Sequence, residues 1–250
     1  MTRAPRTVVV IPARMGSTRF PAKVLSSLGG IPVVEWCRRA AIQAGVGPVV
    51  VATDHSDVID AVKRFGGSAV LTPTDCRSGT DRVYAAVRAL ERARGLQFRT
   101  VVNLQGDEPF IRPATIRKVA RLARTDGVDI ATAVVPASGS REAADPNVVK
   151  AAVAADGRCL YFSRAAIPSG AARLWRHIGI YAFTRAALER FVKSRPSALE
   201  AAERLEQLRA LENGMTIAAA RVADRTVAID TPADLRRASL RLARRTSRSS

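Results

Sequence analysis

Short runs of Val, Ile and Ala alternate along the chain with segments of helical periodicity, and this alternation limits the possible folds more than any other feature. The runs predict strands at 7–12, 48–53, 68–72, 100–105, 129–135, 148–154, 176–183, 216–222 and 227–229. The segments between them predict helices at 31–45, 56–65, 79–94, 113–125, 184–194, 198–213 and 231–244. Continuous apolar runs are typical of strands buried on both faces. The pattern therefore predicts an α/β fold with a mostly parallel central sheet and flanking helices.

No internal repeat or low-complexity linker divides the 250 residues, so we expect one domain over 1–243. The stretch 138–180 breaks the strand–helix rhythm and is predicted to form a lid or dimerisation excursion. After Asp234 the sequence contains six arginines and no acidic residue. Residues 244–250 are therefore predicted to be a basic, disordered tail.

The net charge of +18 raises the question of a nucleic-acid partner. We expect none, because no recognised nucleic-acid-binding motif accompanies the charge. We also expect no membrane insertion, since no apolar run is long enough to span a bilayer. The start of the chain leads directly into a strand and shows no secretory signal. Three scattered cysteines, Cys37, Cys76 and Cys159, predict a reducing, cytoplasmic compartment.

The first predicted strand runs directly into a cationic loop, and the whole stretch 8–23 reads VVVIPARMGSTRFPAK. Arg14, Arg19 and Lys23 surround a flexible segment that includes Gly16. The spacing matches neither the P-loop nor the dinucleotide-binding glycine motif. Cations and exposed N–H groups at the end of a buried strand nevertheless favour phosphate binding over a solvated turn.

Two carboxylates follow predicted strands at what should be the same edge of the sheet. Asp107 lies in NLQGDEPF, residues 103–110, and Asp230 lies in VAIDTPADL, residues 227–235. Mg²⁺ prefers one or two protein carboxylates together with substrate phosphates. The alternatives are an acidic turn at Asp107 and an ordinary helix start at Asp230.

The segment RSGTDR, residues 77–82, resembles a helix start that Thr80 caps. Capping alone and contact with a nucleobase are both open interpretations. In RHIGIY, His177 and Tyr181 are four residues apart and would share one face of a strand, which suggests a polar pocket. The stretch 199–214 is predicted to be a strong amphipathic helix that stops at Gly214.

Together these motifs resemble the CMP-Kdo synthetases, the 3-deoxy-manno-octulosonate (Kdo) cytidylyltransferases. The segments that carry the resemblance occur in family order from residue 8 to about 238: IPARMGSTRFPAK, ATDH, RSGTDR, NLQGDEP, DPNVVK, LYFSRAAIP, RHIGIYAF, LEQLRALENG and IDTPADL. The resemblance implies the Rossmann-like nucleotidyltransferase fold of the nucleotide-diphospho-sugar transferases. It also implies a homodimer that couples CTP to the 2-keto sugar acid Kdo for lipopolysaccharide biosynthesis, releasing pyrophosphate.

The resemblance also implies a role for each matching residue. The triphosphate loop comprises Arg14, Ser17, Arg19 and Lys23. The nucleotide is further contacted by Ser78, Gly79, Arg82 and Gln105. The sugar acid is bound by Arg164, His177, Tyr181, Glu206 and Gln207. Catalysis rests on Lys23, Asp107 and Asp230, of which the two aspartates bind Mg²⁺.

Two features depart from the family pattern. Cys76 replaces a histidine that family members commonly have, and the segment 169–176 is short. Both leave open the same chemistry on another acid: 8-amino-Kdo, a sialic-acid-like sugar or the acid of a specialised pathway. A non-catalytic, basic nucleotide-binding or nucleic-acid-binding protein is a further alternative, but the retained Lys23, Asp107 and Asp230 favour an enzyme.

Overall fold

Strands and helices alternate through the computed structural model, which describes residues 7–16, 20–171, 173–223 and 226–246. The strands are β1 (Thr7–Pro12), β2 (Ser27–Leu28), β3 (Ile31–Pro32), β4 (Val49–Thr53), β5 (Ser68–Leu71), β6 (Thr100–Leu104), β7 (Ile130–Pro136), β8 (Lys150–Val153), β9 (Cys159–Ser163), β10 (Trp175–Thr184) and β11 (Ile217–Arg221). The helices are α1 (Val33–Ala44), α2 (Ser56–Arg64), α3 (Gly79–Arg94), α4 (Pro113–Leu122), α5 (Gly139–Ala144), α6 (Arg185–Lys193), α7 (Ala198–Glu203), α8 (Gln207–Glu212) and α9 (Pro232–Thr246).

The central sheet has the strand order β11-β7-β10-β6-β1-β4-β5. Strands β6, β1, β4 and β5 are mutually parallel, β11 is parallel to β7, and β10 is antiparallel to both of its neighbours. Successive residues of β1 enter different cores: Val9 packs with α1 and α4, whereas Val8 packs with α3 and α6. This burial on both faces explains the unbroken apolar runs. The predicted fold class is confirmed.

The excursion predicted at 138–180 contains α5, the β8–β9 hairpin and the first part of β10. Strand β8 pairs with β9 and with the start of β10, so this region extends the main sheet. Helix α5 was not predicted, because none of its residues is buried and it therefore lacks an apolar pattern. Its role as a lid or dimerisation arm stays a prediction.

Three predicted elements differ from the structure. Residues 227–229 form no strand, since the Ile229 N–H binds the Asp107 carbonyl in a loop instead of a neighbouring strand. The helix predicted at 198–213 is two helices, because Arg204 adopts a left-handed conformation (φ 54°) that ends α7. Helix α9 continues to Thr246, so the predicted tail begins inside a helix, and 247–250 lie outside the described residues.

Among the described residues, no helix has both the length and the apolar character needed to cross a membrane.

Candidate active site

A cavity of about 890 Å³ opens at the carboxyl ends of β1 and β6. Ligands of open α/β sheets commonly bind at this edge. The cavity gathers every predicted site residue within the described ranges: Arg14, Lys23, Ser78, Gly79, Arg82, Gln105, Asp107, Arg164, His177, Tyr181, Glu206, Gln207 and Asp230. The predicted residues Ser17 and Arg19 lie outside the described ranges.

Lys23 bridges the two predicted metal carboxylates. Its Nζ donates to Asp107 Oδ2 at 2.5 Å and to Asp230 Oδ1 at 2.8 Å. The turn that carries Asp107 approaches β1 so closely that a Cβ on Gly106 would lie 3.0 Å from the Pro12 carbonyl oxygen. Burial alone would lower the pKa of Lys23, but the two carboxylates outweigh it and raise that pKa. The Lys23 side chain is therefore a charged ammonium group in the cavity lining.

The same two carboxylates fit a hard divalent cation. Both accept a hydrogen bond from one nitrogen, so their oxygens lie close enough together to share a single positive centre. The side chain of Asp107 is 19% exposed and that of Asp230 is 39% exposed, so both are accessible from the cavity. Two carboxylates beside a loop predicted to bind phosphate are a donor set suited to Mg²⁺.

The start of α3 forms another wall of the cavity. Ser78 caps the helix by accepting a hydrogen bond from the Asp81 N–H at 3.1 Å, so the predicted cap at Thr80 is wrong. Thr80 lies two residues after the N-cap, and its hydroxyl donates to Glu206 at 2.9 Å instead. The helix N-terminus supplies N–H groups and a positive dipole end to the cavity wall.

Arg82 lines the cavity, but its guanidinium also has a structural role. It donates to Asp54 Oδ2 at 2.7 Å and to Thr72 Oγ1 at 2.6 Å, and the residue is 3% exposed. These contacts tie the ends of β4 and β5 to α3. The nucleotide-binding role of Arg82 stays a prediction.

His177 and Tyr181 lie next to each other in the cavity lining, with ring centroids 5.3 Å apart. The Thr132 hydroxyl donates to the Ile180 carbonyl at 2.8 Å and lies 2.8 Å from His177 Nε2. Because the Thr132 hydroxyl already gives its proton to the Ile180 carbonyl, His177 Nε2 must donate to the Thr132 oxygen. The neutral imidazole therefore carries its proton on Nε2. Burial lowers the pKa of His177 to about 3, so the imidazole is neutral at physiological pH.

The break between α7 and α8 places Glu206 and Gln207 at the cavity wall. Glu206 accepts from Thr80 Oγ1, which in turn accepts from Asn103 Nδ2 at 3.3 Å. Burial raises the pKa of Glu206. Gln207 is 5% exposed and faces the same space. A continuous helix would not have the turn that brings both side chains to the cavity.

Arg164 follows β9 and is held by backbone carbonyls. Its Nε donates to the Glu203 carbonyl at 2.9 Å and its Nη1 donates to the Pro146 carbonyl at 3.0 Å. These bonds use two of the five guanidinium N–H groups. A planar cation fixed in this way can bind a carboxylate with two parallel hydrogen bonds.

Glu108 and Arg176 also line the cavity, although neither was among the predicted site residues. Glu108 is the second carboxylate of the acidic turn after β6; it is 6% exposed, and burial next to Asp107 raises its pKa to about 7. Arg176 pairs with Glu142 at 3.1 Å and donates to the Thr226 carbonyl at 3.0 Å. For Arg176, adjacency to the predicted His177 was the available signal.

The lining of the cavity therefore contains two chemically distinct groups of residues. Cations, carboxylates and a helix N-terminus suit a nucleoside triphosphate with its metal. Hydrogen-bonding side chains and the anchored Arg164 suit a polyhydroxylated acid.

A family model described as cytidylyltransferase matches residues 8–217 of the chain. The 3-deoxy-manno-octulosonate cytidylyltransferase of Paramagnetospirillum magneticum is 48% identical over 236 residues, covering 92% of this chain and 95% of the relative. The enzyme of the same name from Elusimicrobium minutum is 47% identical over 241 residues, covering 93% of this chain and 96% of the relative.

A solved structure of CMP:2-keto-3-deoxy-manno-octonic acid synthetase complexed with CTP matches with a TM-score of 0.87 at 39% identity. The match covers 96% of this chain and 99% of that one. A nucleotidyl transferase from Methanothermobacter matches with a TM-score of 0.63 at 19% identity, which shows a shared fold.

Proposed function

The chain belongs to the CMP-Kdo synthetase family, and from this premise we propose that it couples CTP to Kdo, forming CMP-Kdo and releasing pyrophosphate. The observation that carries the proposal is that one cavity is lined both by the residues suited to a triphosphate and by those suited to a sugar acid. A non-catalytic nucleotide-binding protein would have no use for the anchored Arg164 or for the pair His177 and Tyr181.

In the proposed reaction the anomeric 2-hydroxyl of Kdo attacks the α-phosphate of CTP in line, and pyrophosphate leaves. Arg14 and Lys23 neutralise the charge that grows on the leaving group. Asp107 and Asp230 would hold Mg²⁺, which when bound neutralises phosphate charge and lowers the pKa of a nearby hydroxyl. The remaining catalysis is positioning, because the cavity wall fixes both reactants relative to each other.

A second group of residues in the cavity recognises the sugar acid. Arg164 binds its carboxylate, and His177, Tyr181, Glu206 and Gln207 receive its hydroxyls. Because His177 Nε2 donates to Thr132, Nδ1 faces the substrate as an acceptor for a hydroxyl proton. A site built to pair with those hydroxyls penalises analogues that leave its polar groups unpaired.

Further proposals concern the cellular setting. We propose a role in lipopolysaccharide biosynthesis, in keeping with Kdo as the substrate, and a cytoplasmic location. The location is supported by three unpaired cysteines, of which Cys37 and Cys159 are buried. We propose a homodimer that uses the 138–180 excursion, supported by Leu160, which is 57% exposed on β9.

Pyrophosphate release tests the function directly. Purified protein is incubated with CTP and Mg²⁺, with or without Kdo, and release is expected only when all three are present. Arg195→Ala, a substitution of an exposed arginine before α7, serves as a control that should keep full activity. Release without any sugar acid, or no release with Kdo, would contradict the proposed function.

A further inference from the structure

Glu203 accepts two hydrogen bonds from Arg164 and one from the neighbouring Ser163, although it lies 39 positions from Arg164. Its Oε2 accepts from the Arg164 backbone N–H at 2.9 Å, and its carbonyl accepts from Arg164 Nε at 2.9 Å. Its Oε1 accepts from the Ser163 hydroxyl at 2.5 Å. The last residue of α7 therefore fixes both the backbone and the guanidinium of Arg164.

Lys150 supports Arg164 from the other side. The residue is fully buried, and its Nζ donates to the carbonyls of Asp145 at 2.9 Å, Val148 at 2.6 Å and Arg164 at 2.5 Å. These three bonds use all the donors of an ammonium group. Two of the acceptors flank Pro146, whose carbonyl binds Arg164 Nη1. Lys150 thus fixes the loop 145–148, whose Pro146 carbonyl binds the Arg164 guanidinium.

The described residues that line the cavity include Arg164 but neither Glu203 nor Lys150. Any effect of these two residues on substrate must therefore pass through Arg164 or its neighbours. Glu203 also directly precedes Arg204, the turn that directs the chain to Glu206. Glu203 therefore binds Arg164 and also leads the chain into the turn before Glu206, and both of these residues belong to the predicted sugar-acid site.

We propose that Glu203 and Lys150 are positioning residues that fix the Arg164 guanidinium to receive the carboxylate of the sugar acid. The inference rests on the proposed function. A guanidinium that is already anchored loses less rotamer freedom when substrate binds, so the anchoring residues strengthen binding without touching the substrate. The effect should be confined to the sugar acid, because the hydrogen bonds of both residues within the described ranges go to Arg164, to its neighbour Ser163 and to the loop 145–148.

Glu203→Ala is the main test: it removes the two carboxylate oxygens that accept from the Arg164 backbone N–H and the Ser163 hydroxyl, and it keeps the backbone carbonyl that binds Arg164 Nε. We expect the KM for Kdo to rise about tenfold, as for the loss of one or two hydrogen bonds to a charged partner, with the KM for CTP unchanged. Glu203→Gln keeps the shape of the side chain and should cause a smaller rise. Lys150→Met should also raise the KM for Kdo and leave that for CTP unchanged.

Glu212→Ala is the matched control. Glu212 also accepts a backbone N–H of α7, from Leu199 at 3.1 Å, but it contacts no site residue. If both glutamates only stabilise α7, Glu203→Ala and Glu212→Ala should have similar values of KM for Kdo. Positioning predicts that only Glu203→Ala changes the KM for Kdo, at equal melting temperatures.

A double-mutant cycle with Arg164→Ala completes the design. If Glu203 acts through Arg164, Glu203→Ala has no further effect on the KM for Kdo once Arg164 is absent. Additive effects, or an equal rise in the KM for CTP, would overturn the inference. If Glu203→Ala does not fold, Glu203→Gln enters the same cycle. Absence of turnover in the unmodified protein would instead refute the proposed function, so the two failures are distinguishable.

Discussion

Replacing Lys23 by methionine should produce two effects of opposite sign. Lys23 Nζ lies 2.5 Å from Asp107 and 2.8 Å from Asp230, so it occupies the position between the carboxylates that a cation would take. It also lines the cavity, where we propose that it meets the triphosphate. Methionine keeps the length of the side chain and removes the charge. We expect slower turnover together with tighter binding of Mg²⁺ in the absence of CTP.

The magnitudes follow from the geometry. Losing one preorganised electrostatic donor to the leaving group should lower kcat on the order of 10²-fold. The two carboxylate oxygens lie at most about 5 Å apart, so without the ammonium their charges repel by about 3 kcal/mol at an effective dielectric constant of about 20. Solvent reaches Asp230, which reduces this value. If about half of this repulsion remains, a bound Mg²⁺ relieves it, and Lys23→Met should bind Mg²⁺ about tenfold more tightly than the unmodified protein.

Two measurements check the prediction. Pyrophosphate release at saturating CTP and Kdo gives kcat, and calorimetric titration with Mg²⁺ alone gives the metal affinity. Lys193→Met is the matched control, because Lys193 is an exposed lysine that pairs with Glu189 at 2.7 Å outside the cavity. Unchanged kcat, or weaker Mg²⁺ binding in Lys23→Met than in the control, would refute the reasoning.

Three further predictions address the remaining parts of the site. Asp107→Asn and Asp230→Asn should each remove most Mg²⁺-dependent turnover, because each variant loses an anionic oxygen that Mg²⁺ prefers. Circular dichroism should show an intact fold, and near-normal rates in both variants would contradict the metal assignment. Arg164→Lys should raise the KM for Kdo or lower turnover and leave CTP affinity unchanged, because lysine cannot form the two parallel bonds; weaker CTP binding alone would contradict the carboxylate role. His177 has a folded pKa of about 3, below its ordinary value of 6.5, so the unfolded chain binds more protons between these values and stability falls as pH drops through this window. The loss of unfolding free energy between pH 6.5 and pH 4 should be smaller in His177→Gln, and equal losses would contradict a buried neutral imidazole.

The sequence was informative where the physical cause is local. The continuous apolar runs located the strands of the main sheet, because a strand buried on both faces requires them. Asp107 was placed at the sheet edge because the carboxyl ends of parallel strands meet there. Asp230 was placed there too, although the predicted strand before it is a loop joined to the Asp107 carbonyl. The family resemblance then supplied roles that spacing alone left open.

The features that sequence reasoning missed depend on tertiary contacts. Arg204 adopts a left-handed conformation that its residue type does not favour, and this turn divides the predicted helix. Glu203 looks like an ordinary residue of an amphipathic helix, and its role depends on a partner 39 positions away. Helix α5 has no buried face and therefore no apolar periodicity.

The proposed function requires that one cavity couple CTP to Kdo in preference to other 2-keto sugar acids. A single mixture of the protein, CTP, Mg²⁺ and equal concentrations of Kdo and N-acetylneuraminic acid, followed by ³¹P NMR, measures this preference. The phosphodiester signal of CMP-Kdo should appear together with pyrophosphate, with little of the sialic acid conjugate. A dominant CMP-sialic acid signal, or pyrophosphate with no sugar conjugate, would refute the proposed function.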